Sequence, residues 1–462
     1  MSTAAPFSLL WQNAGDAAQA DIFSADATIE SWLAAERALA QAQASVGVIE
    51  QSDADAIVAA AQLDNIDRDQ LWKDAKNVGY PILGLVRQIS AHCPPGPDGR
   101  VHYGATTQDI MDTGLALQMT RSLQAIDAQL ARLGDALAAR VQEYADAVMP
   151  GRTHAQQAVP TTFGATTATL LDQVRRQRER LQQAYDRINV ISLYGAGGTN
   201  AAEGPKSTQT RAKMAEILGM ADAEVPWHVD RDLLSEYGWI CSTITGTCAK
   251  FGRNIVDLSR TEIGEVFEPY NSHRGASSTM PQKVNPISSE LMIGVATVAG
   301  ALASALVRIQ ESGHERAAGE WQGEWFLVPN LGNLAGAALG EAIVVAEQMR
   351  VDTERMKANL ELDGGLIMAE AMMIQLAPAM GREHAHDLVY EAATRARTEG
   401  KTLNEVMPTV AEEQGKSDLL PEKLVTAADY VGEADHIVSR AVAQWDAVGA
   451  LDVLPGIDAL AR

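Results

Sequence analysis

The sequence predicts an all-α protein: three helical domains around a central bundle of five long helices. Three observations lead there. Hydrophobic residues make up 46% of the 462-residue chain, yet aromatics make up only 5%. Alanine is abundant and β-branched runs are scarce, which favours helix over strand. Apolar residues recur at spacings of three and four over stretches much longer than an ordinary helix.

The elements follow in chain order. In "TIESWLAAERALAQAQASVGV", Ile29, Trp32, Ala35, Leu39, Ala42 and Val46 mark a helix with one apolar stripe. "CPPGPDGR" (93–100) is a loop by its prolines and glycines. Helices of this shorter kind make up an N-terminal domain, residues 1–108. From about Asp109, Leu115, Met119, Leu123, Ile126, Leu130, Leu133, Leu137, Val141 and Tyr144 step by four and three, until Pro150-Gly151 stops the pattern. Comparable helical stretches are expected at about 160–192, 231–268, 286–312 and 322–360. Five such helices cannot bury their stripes alone, so residues 109–361 should form a bundle. Alanine-rich faces such as "AGALASALV" permit close approach, some of it to other subunits. After "LDGGL" the segments shorten into a C-terminal helical domain, 362–462. There Met368, Met372 and Met373 read as core, and His384 and His386 as structural.

The formal net charge is −23. That argues against nucleic acid or an anionic membrane as a partner, since phosphate recognition needs clustered cations. No apolar run approaches the length expected of a membrane span. The first 21 residues lack a basic region followed by an apolar core, so no secretory signal is expected. Cys93, Cys241 and Cys248 are odd in number and lack metal-ligand spacing. They read as buried thiols in a reducing, cytoplasmic compartment, with neither metal nor cofactor expected.

Polar segments punctuate the bundle: "VHYGATTQDIMDT" (101–113), "PGRTHAQQAVP" (150–160), "GAGGTNAAEGP" (195–205) and "GASSTMPQKVNP" (275–286). Long antiparallel helices can gather distant loops at shared ends. Together these would supply hydroxyls, amides, a histidine, a lysine and exposed backbone N–H groups, a pocket for a small polyanion. The last segment is the most unusual. Gly275, Ala276, Ser277 and Ser278 restrain the backbone little, and Pro281 and Pro286 cannot continue a helix.

"SSTMPQKVNP" resembles the signature loop of the fumarase/aspartase superfamily, whose members eliminate across a carbon–carbon bond to give fumarate or a relative. "VHYGATTQDIMDT" and "GRTHAQQAVP" are similar to the first and second active-site segments of its adenylosuccinate lyase and carboxymuconate cycloisomerase branch. "HERAAGEWQGEW" and "GGLIMAEAMM" resemble the cycloisomerases. The resemblance spans nearly the whole chain. It implies a homotetramer built on a shared helical bundle, with each active site drawn from more than one chain and a small di- or tricarboxylate as substrate.

It also implies roles. Removing a proton beside a carboxylate creates an aci-carboxylate, which needs donors, a base and an acid for the leaving group. The family's base is the first serine of the pair, here Ser277. Strong local stabilisation would make it basic, once the loop closes. His154 matches the acid and Glu290 its carboxylate partner. Ser278, Met280, Lys283 and Asn285 match substrate contacts on the loop. Thr153 stands beside the histidine. His102, Thr106, Thr107 and Gln108 match the segment that holds a carboxylate, with Thr199 and Asn200 at the other end. Arg316 matches a position near substrate, while His228 and Arg231 fit substrate contact or a subunit interface.

Departures within the family set the specificity. Val284 stands where adenylosuccinate lyases usually carry arginine, and the histidine those enzymes place before the first segment is replaced by "KNVGYPILGLV". Bacterial cycloisomerases commonly carry tryptophan at the position of His154. The expected activity is therefore elimination of an amine from an N-substituted aspartate, such as an iminodisuccinate-type compound, to give fumarate. The alternative is 3-carboxy-cis,cis-muconate cycloisomerase. Adenylosuccinate lyase and a non-catalytic structural protein stand behind it.

Overall fold

The computed structural model describes residues 8–449; the first seven residues of the stretch read above for a leader lie outside them. Five long helices dominate: Thr107–Glu143, Phe163–Ile188, Asp232–Leu258, Ile287–Arg308 and Glu320–Gln348. The first has 37 residues, a rod of about 55 Å. Each packs against at least two of the others. The apolar stripe read from the sequence is the buried one: Leu123, Ile126, Leu137 and Val141 are wholly inside. Glycines let the rods approach closely. A Cβ on Gly134 would lie 2.0 Å from the Trp445 ring, which packs the helix Ala434–Asp446 against the bundle. The Trp445 indole N–H also donates to Asp135 at 2.9 Å.

The helix Ala25–Ser45 begins at Ser24, whose hydroxyl accepts the Ala27 N–H at 3.1 Å. It buries Leu33, Ala35, Leu39 and Ala42 in the same core as the bundle. A second core lies within helices Ala369–Met380, Arg382–Glu399 and Leu403–Glu413, around Met372, Leu376, Leu388, Val406 and Val410. Met373 packs partly buried against it, Met368 is half-buried, and His384 and His386 are exposed.

The structure corrects several sequence expectations. "PGRTHAQQAVP" is no irregular loop: Val148–Thr153 and Gln156–Thr162 pair as an antiparallel hairpin. Pro150 and Pro160 read as breakers, but they face each other in a two-stranded ribbon, whose outer edges need no N–H. The next helix therefore starts at Phe163, capped by Thr162. The stretch expected to run to 268 ends at Leu258, because Val266–Phe267 pairs with Arg350–Val351. Cys93 is half-buried, unlike Cys241 and Cys248, whose thiols burial pushes up to about 12. Finally, Ile287–Glu311, like Glu320–Gln348, is long and apolar enough to cross a membrane by length and composition. The serines, glycines and Glu290 within it hid that from a search for an unbroken apolar run.

Candidate active site

The 275–286 loop is a pinched neck with an exposed tip. Gly275, with φ +67°, accepts the Asn285 N–H on its carbonyl at 2.8 Å, and Ala276 bridges Val284. Below the neck, Glu268 caps the helix Ile287–Arg308: its carboxylate accepts Ser288 N–H at 3.2 Å, and Ser289 N–H and hydroxyl at 2.7 Å each. The tip, with Ser278, Met280 and Lys283, is exposed. Half-buried Ser277 accepts on its Oγ the N–H groups of Thr279 at 3.2 Å and Met280 at 3.0 Å, within the exposed turn. Two backbone donors on a serine oxygen favour its anionic form.

The neck gives a direct test. A Cβ on Gly275 would sit 2.3 Å from the Asn285 carbonyl oxygen, at a φ that side chains rarely adopt. Gly275→Ala should force the neck apart and displace Lys283 and Asn285. The expected loss in kcat is about 10²-fold, with the thermal unfolding midpoint nearly unchanged. Steady-state kinetics and a circular-dichroism melt check it; normal kcat would mean that the neck does not set the geometry.

The hairpin supplies the second group. His154 and Ala155 form its two-residue turn, both left-handed at φ 50° and 62°, the geometry that suits the twist of a tight hairpin. Thr153 and His154 are exposed at the tip. The shaft is held firmly. Arg152 makes a two-pronged ion pair with buried Glu265, at 2.8 and 2.6 Å. Asn359 donates to the same carboxylate at 2.7 Å, and its carbonyl accepts from Gln157 at 2.8 Å.

The third group surrounds the start of the helix Thr107–Glu143. Asp109 is its hub. Its carboxylate accepts the N–H groups of Thr106, Tyr194 and Gly195 at 2.8–2.9 Å and the His228 Nε2–H at 2.7 Å. Burial works against its charge, but His228 and these N–H groups outweigh burial and hold it below the usual carboxylate range. Arg316 donates to the Thr106 hydroxyl at 3.2 Å and to the Ala196 carbonyl at 3.4 Å. Thr107 is half-buried beside it, and Thr199 is exposed on the facing loop. His102 stands here too, its Nδ1 2.6 Å from Glu36.

Four expected substrate contacts are buried and hold structural partners. Arg231 is wholly buried between Asp112 and Glu324, with bonds of 2.5–3.1 Å to both. His228 is buried on Asp109, and Gln108 is buried, donating to the His228 carbonyl at 2.7 Å. Asn200, left-handed at φ 52°, is buried and donates to the Leu193 carbonyl at 3.2 Å. Interior charges and amides need partners, and for Arg231, His228 and Gln108 these come from elements far off in sequence. The expected hydrogen bond between His154 and Glu290 is also absent among the described residues, and both are exposed. No hydrogen bond joins the three groups among the described residues of one chain. Sequence reasoning missed Asp109, though its place three residues after Thr106 is a capping-box spacing. It missed Glu36 and Glu265 as well, which carry no motif.

Comparison with known proteins now decides the family. Residues 8–300 match the family described as Lyase, and residues 365–441 match the adenylosuccinate lyase C-terminus. The chain belongs to the fumarase/aspartase superfamily. It is 40% identical to the 3-carboxy-cis,cis-muconate cycloisomerase of Pseudomonas aeruginosa, over 84% of this chain and 85% of that one. The crystal structure of the 3-carboxy-cis,cis-muconate lactonizing enzyme from Pseudomonas putida superposes with TM-score 0.87 at 37% identity, covering 95% of this chain and 99% of that one. The N-acetyl-S-(2-succino)cysteine lyase of Dickeya dadantii is 32% identical, over 84% of this chain and 86% of that one. The protein is thus an enzyme of the lyase and cycloisomerase group within this superfamily.

Proposed function

We propose that the chain is a 3-carboxy-cis,cis-muconate cycloisomerase. The observation that carries this reading is the 40% identity to such an enzyme over 84% of the chain, together with a signature loop that holds Ser277 on two backbone donors. In lactonisation, a carboxylate oxygen of the substrate attacks the alkene carbon and the electron pair moves onto the neighbouring carboxylate. Lys283 and Asn285 stabilise that aci-carboxylate, and the Ser277 hydroxyl delivers a proton to the carbon beside it. The leaving group of the reverse reaction is a carboxylate, which needs no acid.

One residue favours a second reading. His154 replaces the tryptophan common in cycloisomerases, and a histidine suits protonation of a departing nitrogen. The same proton chemistry, run as elimination, would release fumarate from an N-substituted aspartate. The sequence alone leans this way; the relatives lean toward lactonisation. Purified enzyme offered carboxymuconate, N- and S-substituted succinates and adenylosuccinate separates them, with ultraviolet absorbance following diene loss or fumarate formation. We expect kcat/KM for carboxymuconate to exceed every other by about 10²-fold. Fumarate release from aminosuccinates with carboxymuconate untouched would overturn the first reading in favour of the second.

Assembly is part of the proposal. Ile287–Arg308 leaves Ile287, Val298 and Val307 exposed at 40–51%, an apolar face that suits further copies of this helix. The proposed unit is a homotetramer in which the hairpin tip of one chain meets the loop of another.

A further inference from the structure

We propose that Glu36, outside every sequence motif, is a positioning residue: it holds His102 as a doubly protonated ring whose Nε2–H grips a substrate carboxylate. The inference rests on the reading above that this end of the bundle receives a carboxylate substrate. Glu36 is 1% exposed on the helix Ala25–Ser45. One of its oxygens lies 2.6 Å from the His102 Nδ1, and the other is buried without a partner. A buried carboxylate with a single partner is best matched by a charged donor.

The same helix grips the turn twice. Seven residues beyond Glu36, Gln43 donates to the Tyr103 carbonyl at 2.6 Å. Between these grips His102 adopts φ +59°, a left-handed conformation that a histidine keeps only when its surroundings over-determine it. Gly104 follows at φ +79°, where a Cβ would stand 2.9 Å from the Glu203 carboxylate. The turn is clamped, so the ring has little freedom.

Glu36 occupies Nδ1, which leaves Nε2 as the only ring nitrogen for a ligand. The ring keeps 18% of its side-chain surface exposed. Burial disfavours its charge, but Glu36 and then Asp109 outweigh burial and raise its pKa above the ordinary value. A charged ring can only donate at Nε2, and a donor selects carboxylate. Close by, Arg316 meets Thr106 at the start of the bundle's longest helix, a second cation in a chain of net charge −23.

Full-length protein labelled with [13C]histidine tests this by NMR, with His102 assigned through His102→Asn. The probe ligand is tricarballylate, a tricarboxylate that does not react. We expect the wild-type His102 to titrate above an ordinary histidine, as its pairing with Glu36 and the charge of Asp109 require. Glu36→Gln keeps the shape and removes the charge. It should lower that midpoint by about one pH unit or more and weaken tricarballylate about tenfold at pH 7, with affinity partly recovered toward pH 6. Glu36→Gln added to His102→Asn should change affinity no further. An unchanged His102 midpoint, or unchanged affinity with only thermal stability lost, overturns the proposal. Should Glu36→Gln fail to fold, a wild-type His102 found neutral at pH 7 overturns it equally. These readouts need no turnover. A chain inactive on carboxymuconate and on every succinate would sink the proposed function and leave this inference standing.

Discussion

Ser277→Ala is expected to lower kcat about 10²-fold or more while leaving substrate affinity within a few-fold. Of the hydroxyls on the signature loop, that of Ser277 is half-buried while those of Ser278 and Thr279 are exposed. Its two backbone partners, Thr279 and Met280, lie within the same turn. Any movement of the loop would therefore carry these donors with the serine. Alanine removes the oxygen and leaves the turn's backbone free to keep its shape, so binding should survive. A variant keeping more than about a tenth of wild-type kcat would show that Ser277 is not the proton carrier. Ser278, the exposed neighbour, would then be the next candidate.

The same variant probes the shared site. Among the described residues of one chain, no hydrogen bond joins the hairpin that carries His154 to the loop that carries Ser277. If a site takes its loop from one chain and its hairpin from another, two inactive variants can complement. Under the elimination reading, in which His154 protonates the leaving group, Ser277→Ala and His154→Ala, unfolded together and reassembled, should regain a fraction of the wild-type rate. Mixed tetramers that remain inactive would place both residues in one chain's site.

The long helices were legible in the sequence because burial on one face imposes a 3.6-residue period, and all five appear within a few residues of their expected starts or stops, or shorter. What ended them was less legible. Pro150 and Pro160 carry the same local signal in a loop as on the edges of a ribbon, and only pairing between strands tells them apart. The signature loop and the Thr-His turn were legible as motifs. The environment of polar residues was not. His228, Arg231, Gln108 and Asn200 stand in polar segments and read as ligands for a substrate. Their partners are Asp109, Asp112 with Glu324, the His228 carbonyl and the Leu193 carbonyl, and nothing in local spacing announces a bond such as Arg231 to Asp112 across 119 positions. Glu36 is the converse case: a charge on a helix face of alanines and leucines, indistinguishable in sequence from a solvated one.

Arg231→Met is expected to be the most destabilising single change, because it leaves two buried carboxyl groups without their cation. Arg231 ties together Asp112 on the helix Thr107–Glu143, Glu324 on Glu320–Gln348 and its own helix Asp232–Leu258, which it precedes. Its guanidinium also donates to the Trp227 carbonyl at 3.2 Å and lies 5.0 Å from the centre of the Trp227 ring. Both carboxylates are about 1% exposed. Removing the cation from such a group costs about 3–5 kcal/mol. Burial already raises the Glu324 pKa to about 7; Arg231 opposes that rise and Asp112 adds to it. Without Arg231 it must climb further. A carboxyl whose folded pKa lies above its unfolded value loses stability as pH rises from the unfolded value, about 4.3, through the folded one. The deficit should therefore be largest above pH 7 and shrink on acidification toward pH 5. Urea unfolding at fixed protein concentration measures it, and the triple change Arg231→Met, Asp112→Asn, Glu324→Gln should restore most of the loss. A single variant within about 1 kcal/mol of wild type, or a deficit that grows toward acid pH, would mean that the triad carries no such strain.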